Sequence, residues 1–566
     1  MDDPLDAVTA RAADQRFISQ CSLTGLQDKL PFRWQTPPGI PPSPKRHYRS
    51  HYVYQGWQDL RDLSQWNHLS DFDLNLRLVD YSGLRPVLAW LLNWQSARGW
   101  CPFDPLSIFF VHGWQITNSW SRALTLQNLH NPRYADYANL FGFQDGIFPS
   151  EGGLRYYLTT LGANSQILAK TVQVQLDDAR AVPVTVLALN HLIAGSTNLI
   201  KEAGIISQEA WRKAMVCPDG MIHDAASRLK CTAVQDTCYQ PTTSQKPRPC
   251  PAKEKDHQGC DCKTADCAAV CRFATPRDPA ARLVVYTGSN QPKSSPNQPA
   301  TPPQEQPKGK GELRYGYRSV PLLLADEERR TSFILMDGFL PAPEREENPS
   351  AALLLQTPTF YPDLHLDAAA GDAGVGYASY LRAAHSLGVK RVVDLRADPS
   401  DQDKPGWTTR GYDDKGRPIC FYGYAFTSNG YDPERKRHKW FCDKPCLTKE
   451  PPAVTLANVA YPPDECPYQA AKYAYGEIRN VALAFDDGST RLVRDISVGT
   501  PAWKRIYHRA RNAAEGRQAT MERWRLKRLR VYGDLRGQAM IFQADVWDNL
   551  TTMARLVREA TMAAGP

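Results

Sequence analysis

Leu364–Arg396 reads LHLDAAAGDAGVGYASYLRAAHSLGVKRVVDLR. A short strand runs into a glycine-rich turn, a stretch of helix formers follows over Tyr380–Gly388, and Lys390–Arg396 is a second apolar strand. Strand, helix and strand at this spacing make an α/β unit. Asp372 stands at the carboxyl end of the first strand, where open α/β sheets hold their ligands. The fold class expected is therefore α/β. Upstream, Arg314–Asp326 and Thr331–Asp337 read as a paired hairpin. Downstream, Ile478–Asp486 and Thr490–Ile496 read as a further strand pair.

Toward the N-terminus the pattern changes. Residues 1–50 are polar and proline-rich, a flexible arm. Residues 51–205 are helical: Leu84–Trp94 has apolar residues at helical spacing, and Asp104-Pro105 is a cap and first-turn pair ahead of Leu106–Val111. Tyr134–Gly142 and Pro149–Leu158 add further helices. Such an all-helical domain suits a DNA-binding head or a structural bundle. The α/β domain then begins, its first part spanning 206–400. It opens with two aspartates five residues apart, Asp219 and Asp224, at a turn that would also suit an Asp-Gly turn with nothing bound.

The 14 cysteines are clustered. Cys231, Cys238, Cys250, Cys260, Cys262, Cys267 and Cys271 fall within 231–275, a segment too poor in large aliphatics to bury a core of its own. Zn²⁺ held by these thiols is the expected substitute, scattered reduced thiols the alternative. A linker follows at 288–311. Residues 401–480 read as a β-rich insertion in which Cys420, Cys442, Cys446 and Cys466 form a second set, again suited to zinc. Clusters of this kind are metal ligands more often than disulfides in a reducing compartment.

The final part, 481–566, holds a basic helix. Trp503–Arg530 contains no proline and one glycine, Gly516, and is dense in helix formers. Lys504, Arg505, Arg509, Arg511, Arg517, Arg523, Lys527 and Arg528 surround Glu515 and Glu522, which share one face two turns apart. The arrangement offers acid for a metal ion and base for phosphates. A solvated helix with intrahelical ion pairs is the plainer reading.

At 566 residues and 42% apolar content, the chain is long enough for roughly three or four units with real cores. A net charge of +8 fits an anionic partner, more so because the basic residues concentrate toward the C-terminus. No apolar run is long enough for a membrane span, and the acidic start, Met1-Asp2-Asp3, lacks the pattern of a signal peptide. A cytoplasmic protein is expected.

In order, a helical head, Asp219-Gly220, a hairpin, Asp372 on an α/β unit, an insertion and Glu515 on a basic helix resemble the DDE transposases of bacterial insertion sequences. Leu366–Tyr377 is similar to the family's second-acid turn. Asp278-Pro279-Ala280-Ala281-Arg282 with Tyr315-Gly316-Tyr317-Arg318 is similar to the segment after its first acid. Arg511 and Glu515, with Tyr507 upstream, match part of its third-acid signature, and Leu140–Phe143 with Pro149-Ser150 looks like the region before its catalytic domain. Glu522 stands where the family has a lysine, which leaves Glu522, accompanied by Arg517, as the alternative third acid. Asp219 and Asp224 both remain candidates for the first.

The resemblance implies an RNase H-like catalytic domain and a catalytic set of Asp219 or Asp224, Asp372 and Glu515 holding two Mg²⁺ (or Mn²⁺) ions. It implies metal-dependent cleavage at transposon ends and strand transfer, with a homodimer on double-stranded DNA in a bacterial, nucleoid-associated setting. In-line displacement at phosphorus needs hard oxygen ligands and no covalent intermediate, so three carboxylates from distant positions suffice. A nuclease on the same fold, and a non-catalytic zinc-containing nucleic-acid-binding protein, are the alternatives.

Overall fold

The computed structural model describes residues 29–43, 47–55, 68–94, 102–143, 146–177, 179–227, 230–231, 239–241, 247–249, 274–275, 278, 280–286, 312–394, 417–420, 424–432, 434–435, 437–448, 475–482, 495 and 501–563. Over these it is a mixed α/β structure, and none of its helices is long and apolar enough to cross a membrane.

The N-terminal helices start at caps written in the sequence. α1 (Asp71–Leu78) opens with a capping box between Ser70 and Asp73. α2 (Leu84–Leu91) is tied to α3 (Pro105–Thr117) by Asp104, which caps α3 and holds Arg85 in a 2.8 Å ion pair. α4 (Arg122–Leu129), α5 (Ala135–Leu140) and α6 (Glu151–Ile167, capped by Ser150) follow. A hairpin of β1 (Lys170–Gln175) and β2 (Ala181–Val186) leads to α7 (Asn190–Glu202) and α8 (Gln208–Arg212).

Two sheets come next. In chain order their elements are β3 (Ala214–Pro218), β4 (Met221–Asp224), β5 (Arg282–Tyr286), β6 (Glu312–Ser319), β7 (Leu322–Asp326), β8 (Thr331–Met336), β9 (Phe339–Pro341), α9 (Glu347–Phe360), β10 (Leu366–Gly371), α10 (Ala378–Ser386) and β11 (Lys390–Val393). One sheet has the order β8-β7-β3-β10-β11. β7 runs antiparallel to β8 and β3, while β10 runs parallel to β3 and β11. In the second, β4, β5 and β9 all pair antiparallel with β6. The run Arg314–Asp326, expected as one arm of a hairpin, is thus two strands in two sheets. It breaks at Val320-Pro321 because proline has no N–H to give a ladder. The hairpin is β7–β8 alone.

Between β11 and the next long helix, β12 (Thr427–Asp432), β13 (Arg437–Phe441) and β14 (Ile478–Ala482) form a small antiparallel sheet. α11 (Pro501–Arg523) is the basic helix, and it ends earlier than its composition suggests. Arg525 takes a left-handed φ of 57°; its N–H bonds to the Glu522 carbonyl, and that of Leu526 to the Met521 carbonyl. These two bonds close a Schellman cap, with Leu526 and Met521 both buried beneath it. Lys527, Arg528 and Arg530 therefore lie beyond the helix.

The chain closes with α12 (Asp534–Ala563), which packs against α1, α3, α6, α7 and β8. Helical layer and sheet consequently share one apolar cluster running from Phe32 to Val557, with Trp547 stacked on Phe109 at 5.2 Å. The entry to α12 is fixed by Asp278. Its carboxylate accepts from Tyr317 Oη (2.7 Å) and the Gly533 N–H (2.8 Å), and its carbonyl accepts from Tyr315 Oη.

Arg517 joins these parts at the centre. It is 2% exposed, and its guanidinium reaches Asp337 at 2.9 Å and Asp545 of α12 at 2.8 Å. A third bond goes to Ser319 Oγ at 3.2 Å. Ser319 also meets His223 Nε2 at 2.8 Å, while His223 Nδ1 meets the Leu526 carbonyl at 2.8 Å. A carbonyl only accepts, so Nδ1 carries the proton and Ser319 donates to Nε2. Burial holds His223 neutral, its pKa lowered to about 3. Burial, then the charge of Asp545, raise the Asp337 carboxyl well above its usual range. Removing one partner of such a pair leaves an uncompensated buried charge. Arg517→Ala is expected to lose roughly 3–5 kcal/mol of folding stability in urea titrations; a loss below about 1 kcal/mol would mean the network is not structural.

Candidate active site

The turn after β3 and the turn after β10 bring two of the expected acids together, because those strands are parallel neighbours. Asp219 follows β3 and is nearly buried, its side chain 12% exposed; Asp372 follows β10 and is 40% exposed. Arg511 Nη1 lies between them, 3.6 Å from Asp219 Oδ1 and 3.4 Å from Asp372 Oδ2. Gln518, two turns along α11, donates to Asp219 Oδ2. Asp372 Oδ1 also accepts the Gly374 N–H at 2.8 Å, which sets its rotamer.

A further carboxylate sits in this cluster. Glu346 lies between β9 and α9 and pairs with Arg318 at 3.4 Å. A Cβ at Gly220 would overlap Glu346 Oε2, and one at Gly374 would be 2.8 Å from both Glu346 Oε1 and Asp372 Oδ1. Sequence reasoning passed over Glu346 because it stands in Pro341–Pro349, a polar stretch that looks like a turn. Arg318, at the end of the Tyr315-Gly316-Tyr317-Arg318 segment, was the available signal.

The other expected residues are distributed differently. Asp224 bonds Arg314 at 2.8 Å, and its backbone pairs with Lys527 and Leu529, so it holds the chain leaving α11. Of the two aspartates only Asp219 shares a partner with Asp372. Glu515 is exposed on α11 and its carboxylate forms no ion pair among the described residues; Glu522 pairs with Lys527 at 2.9 Å. Among the basic residues, Lys504, Arg505, Arg523, Lys527 and Arg528 are exposed, and Arg509 pairs with Glu327. Arg517 is removed from any phosphate-facing set by burial, since no anion in solvent reaches it.

The helix phase explains the difference. Ala510, Ala514, Arg517 and Met521 recur at helical spacing on the buried face of α11, whereas Arg511 and Gln518 lie about one residue's rotation away, over the acids. A 1620 Å³ cavity lies at the opposite ends of β3 and β10, lined by Arg330, Arg505, Arg509 and Arg523 with Glu327 and Glu328. None of the clustered acids lines it.

Cys238, Cys250, Cys260, Cys262, Cys267, Cys271 and Cys466 lie outside the described residues, as does the Cys231 side chain. Cys420, Cys442 and Cys446 gather around Trp440 and Phe426. Burial pushes the Cys442 thiol up to about 11, and Cys420 and Cys446 add to the rise against a backbone N–H at Lys444. Among the described residues, no group of three or more His, Cys, Asp or Glu is placed to hold a metal ion. At the acid site the place of a cation is taken by Arg511, a positive group held between two oxygen donors. The two carboxylates are oxygen donors of the hard type that divalent ions such as Mg²⁺ prefer.

A scan against protein-family models and searches of curated proteins and of solved structures return no match.

Burial raises the Asp219 pKa to about 6, with Arg511 opposing and Asp372 adding to the rise. Burial raises Glu346 to about 7, with Arg318 opposing and Asp372 and Asp219 adding. An unfolded chain has values of about 3.9 for Asp and 4.3 for Glu. Between these and the folded values the folded protein binds more protons, so the two groups favour folding at low pH and lose that contribution as pH rises through 6 to 7. In urea titrations without metal, Asp219→Asn is expected to gain stability relative to wild type as pH rises from about 4 to 7. A constant difference across that window would contradict the raised value.

Proposed function

We propose that the protein is a DDE-type DNA transposase with an RNase H-like catalytic domain, acting as a dimer on double-stranded DNA. One observation carries the reading: the acids of two distant turns, Asp219-Gly220 and Asp372-Ala373-Gly374, meet at the carboxyl ends of adjacent parallel strands and share the cation Arg511 of the basic helix. These turns and this arginine belong to the segments that resemble the family. The mixed five-stranded sheet, with α11 packed on β3 and β10, supports the RNase H-like assignment.

Asp219 and Asp372 would hold Mg²⁺ or Mn²⁺, since both present oxygen donors to a position already favourable to positive charge. Held there, such ions would supply Lewis-acid activation of the attacking oxygen and stabilisation of the leaving one in displacement at phosphorus. The chain's own part is to align and neutralise. Gln518 fixes the Asp219 carboxylate by donating to one oxygen, leaving the other toward Arg511. Arg511, released from the carboxylates, is placed to pair with a phosphate at the cleavage position. Lys504, Arg505, Arg523 and Arg528 neutralise the backbone farther along, giving affinity that falls with salt and depends little on sequence.

The test is cleavage of duplexes carrying the ends of the element that encodes the protein, with Mg²⁺ or Mn²⁺ supplied. Asp219→Asn and Asp372→Asn are each expected to reduce metal-dependent nicking by roughly 10²-fold or more, while salt-sensitive duplex binding persists. Nicking without strand transfer would make the protein a nuclease on this fold. Duplex binding with no cleavage by wild type would move the reading to a non-catalytic binding protein.

A further inference from the structure

We propose that the cleft on the far flank of α11 from the acids is a second binding site, which takes the phosphodiester backbone of a nucleic acid. The inference rests on the transposase reading in one point, that nucleic acid is the polyanion the chain meets. Its position and its residues are separate from the acid site.

Helix phase separates the two places. Arg511 and Gln518 face the acids, whereas Arg509, Gly516 and Arg523, recurring every two turns, line the 1620 Å³ cavity on the opposite flank. Arg505 lines it one turn before Arg509. From Arg505 to Arg523 the cleft follows α11 for about 27 Å, over which a stacked strand presents about eight phosphates. Between the arginines the helix face is low. Ala513, Gly516 and Ala519 border the cavity, and a Cβ at Gly516 would meet nothing within 4 Å. The β7–β8 turn, with Arg330, and the α12 segment of Thr551, Thr552 and Arg555 add further walls.

Charge decides what such a cleft holds. Acids line it as well, but most are already engaged. Asp71 pairs with Arg558 at 2.6 Å, Glu209 with Lys213 at 2.8 Å, Asp367 with Lys390 at 2.7 Å, and Glu327 with Arg509. Asp326 is buried and accepts from the N–H and the hydroxyl of Ser207. Asp548 is buried too, and that burial raises its pKa to about 7. Arg505, Arg523 and Arg555 are exposed and form no ion pair among the described residues, with Glu328 as the one lining acid in the same state. The surplus is therefore positive. No aromatic side chain is among the described lining residues, so the cleft lacks the aromatic walls of a small-molecule pocket and any platform for stacking bases. Guanidiniums with threonine hydroxyls beside them suit phosphate oxygens, whatever the base sequence.

The experiment measures binding of a fluorescent single strand and of a fluorescent duplex to the full chain over a series of salt concentrations. Arg523→Gln and Arg555→Gln are each expected to weaken binding roughly three- to tenfold. Each is also expected to flatten the slope of log affinity against log salt, by about 0.7 for a single strand or about 0.9 for a duplex. The arm in which the slope falls identifies the form of nucleic acid that the cleft holds. Gly516→Glu sets a carboxylate on the cleft floor and is expected to weaken binding likewise. Its side chain enters open space and replaces a glycine within a helix, so folding is not at stake. Arg180→Gln removes the same charge from the turn between β1 and β2 and is expected to stay within about twofold of wild type. Wild-type affinity and slope in all three cleft variants overturn the proposal, as does an equal loss in Arg180→Gln. The two levels separate cleanly: no binding by wild type removes the nucleic-acid partner and the transposase reading with it, whereas wild-type binding that the cleft variants leave intact removes the cleft alone.

Discussion

The buried guanidinium of Arg517 sets the geometry on which the acid site depends. Its position on α11 is fixed from Asp337 after β8, from Asp545 on α12 and from Ser319 at the end of β6. A planar fork with five donors satisfies several acceptors in one orientation only, so the helix has little freedom to slide or rotate. That constraint carries to the surface, because Arg511 and Gln518 flank Arg517 on the same rigid rod. Where Arg517 is anchored, those two side chains fall over Asp219 and Asp372.

The segments around this anchor act in the same direction. Asp278 gathers Tyr315, Tyr317 and the Gly533 N–H, so the motif after the first acid serves as the fastening between β6 and the start of α12. Asp224, a candidate for the chemistry on sequence grounds, pairs its backbone with Lys527 and Leu529 where the chain leaves α11. The His223–Leu526 bond fixes the same exit. Asp224, His223 and Asp278 thus hold the chain where it leaves the basic helix and enters α12.

Much of this was legible in the sequence, for local reasons. Asp104-Pro105, Ser70 with Asp73, and Ser150 signal helix starts through bonds made within a few residues. The strand–turn–helix–strand of Leu364–Arg396 is equally local, and it placed Asp372 correctly at a strand end. What stayed hidden depends on long-range pairing. Arg517 looks like any other arginine in a basic helix until the phase of Ala510, Ala514 and Met521 marks its face as buried. Glu346 is more than a hundred residues from Asp219 and joins it only because β3, β7 and β8 pair across the sheet before α9 begins. The shared core with α12 was invisible for the same reason: a long C-terminal helix carries no statement of which layers it will join.

The acid site and the Arg517 network solve one electrostatic problem in two ways. Both collect several carboxylates around a guanidinium in a place poor in water. In the network all partners lie deep, Arg517 is fully engaged, and burial raises the Asp337 carboxyl well above its usual range, so no position is left open to solvent. At the acid site Arg511 is one-third exposed, sits at 3.4–3.6 Å rather than in close forks, and is held by carboxylates that reach solvent on the Asp372 side. Its attraction is correspondingly weaker, since exposed charges are screened. On the proposed function, a divalent ion, with twice the charge on a compact centre, would outcompete a loosely held guanidinium for the same oxygens, while a nearby phosphate would offer that guanidinium a new partner. The two exchanges favour each other, so metal and polyanion are expected to bind this site cooperatively, whereas the buried copy of the same motif stays indifferent to both.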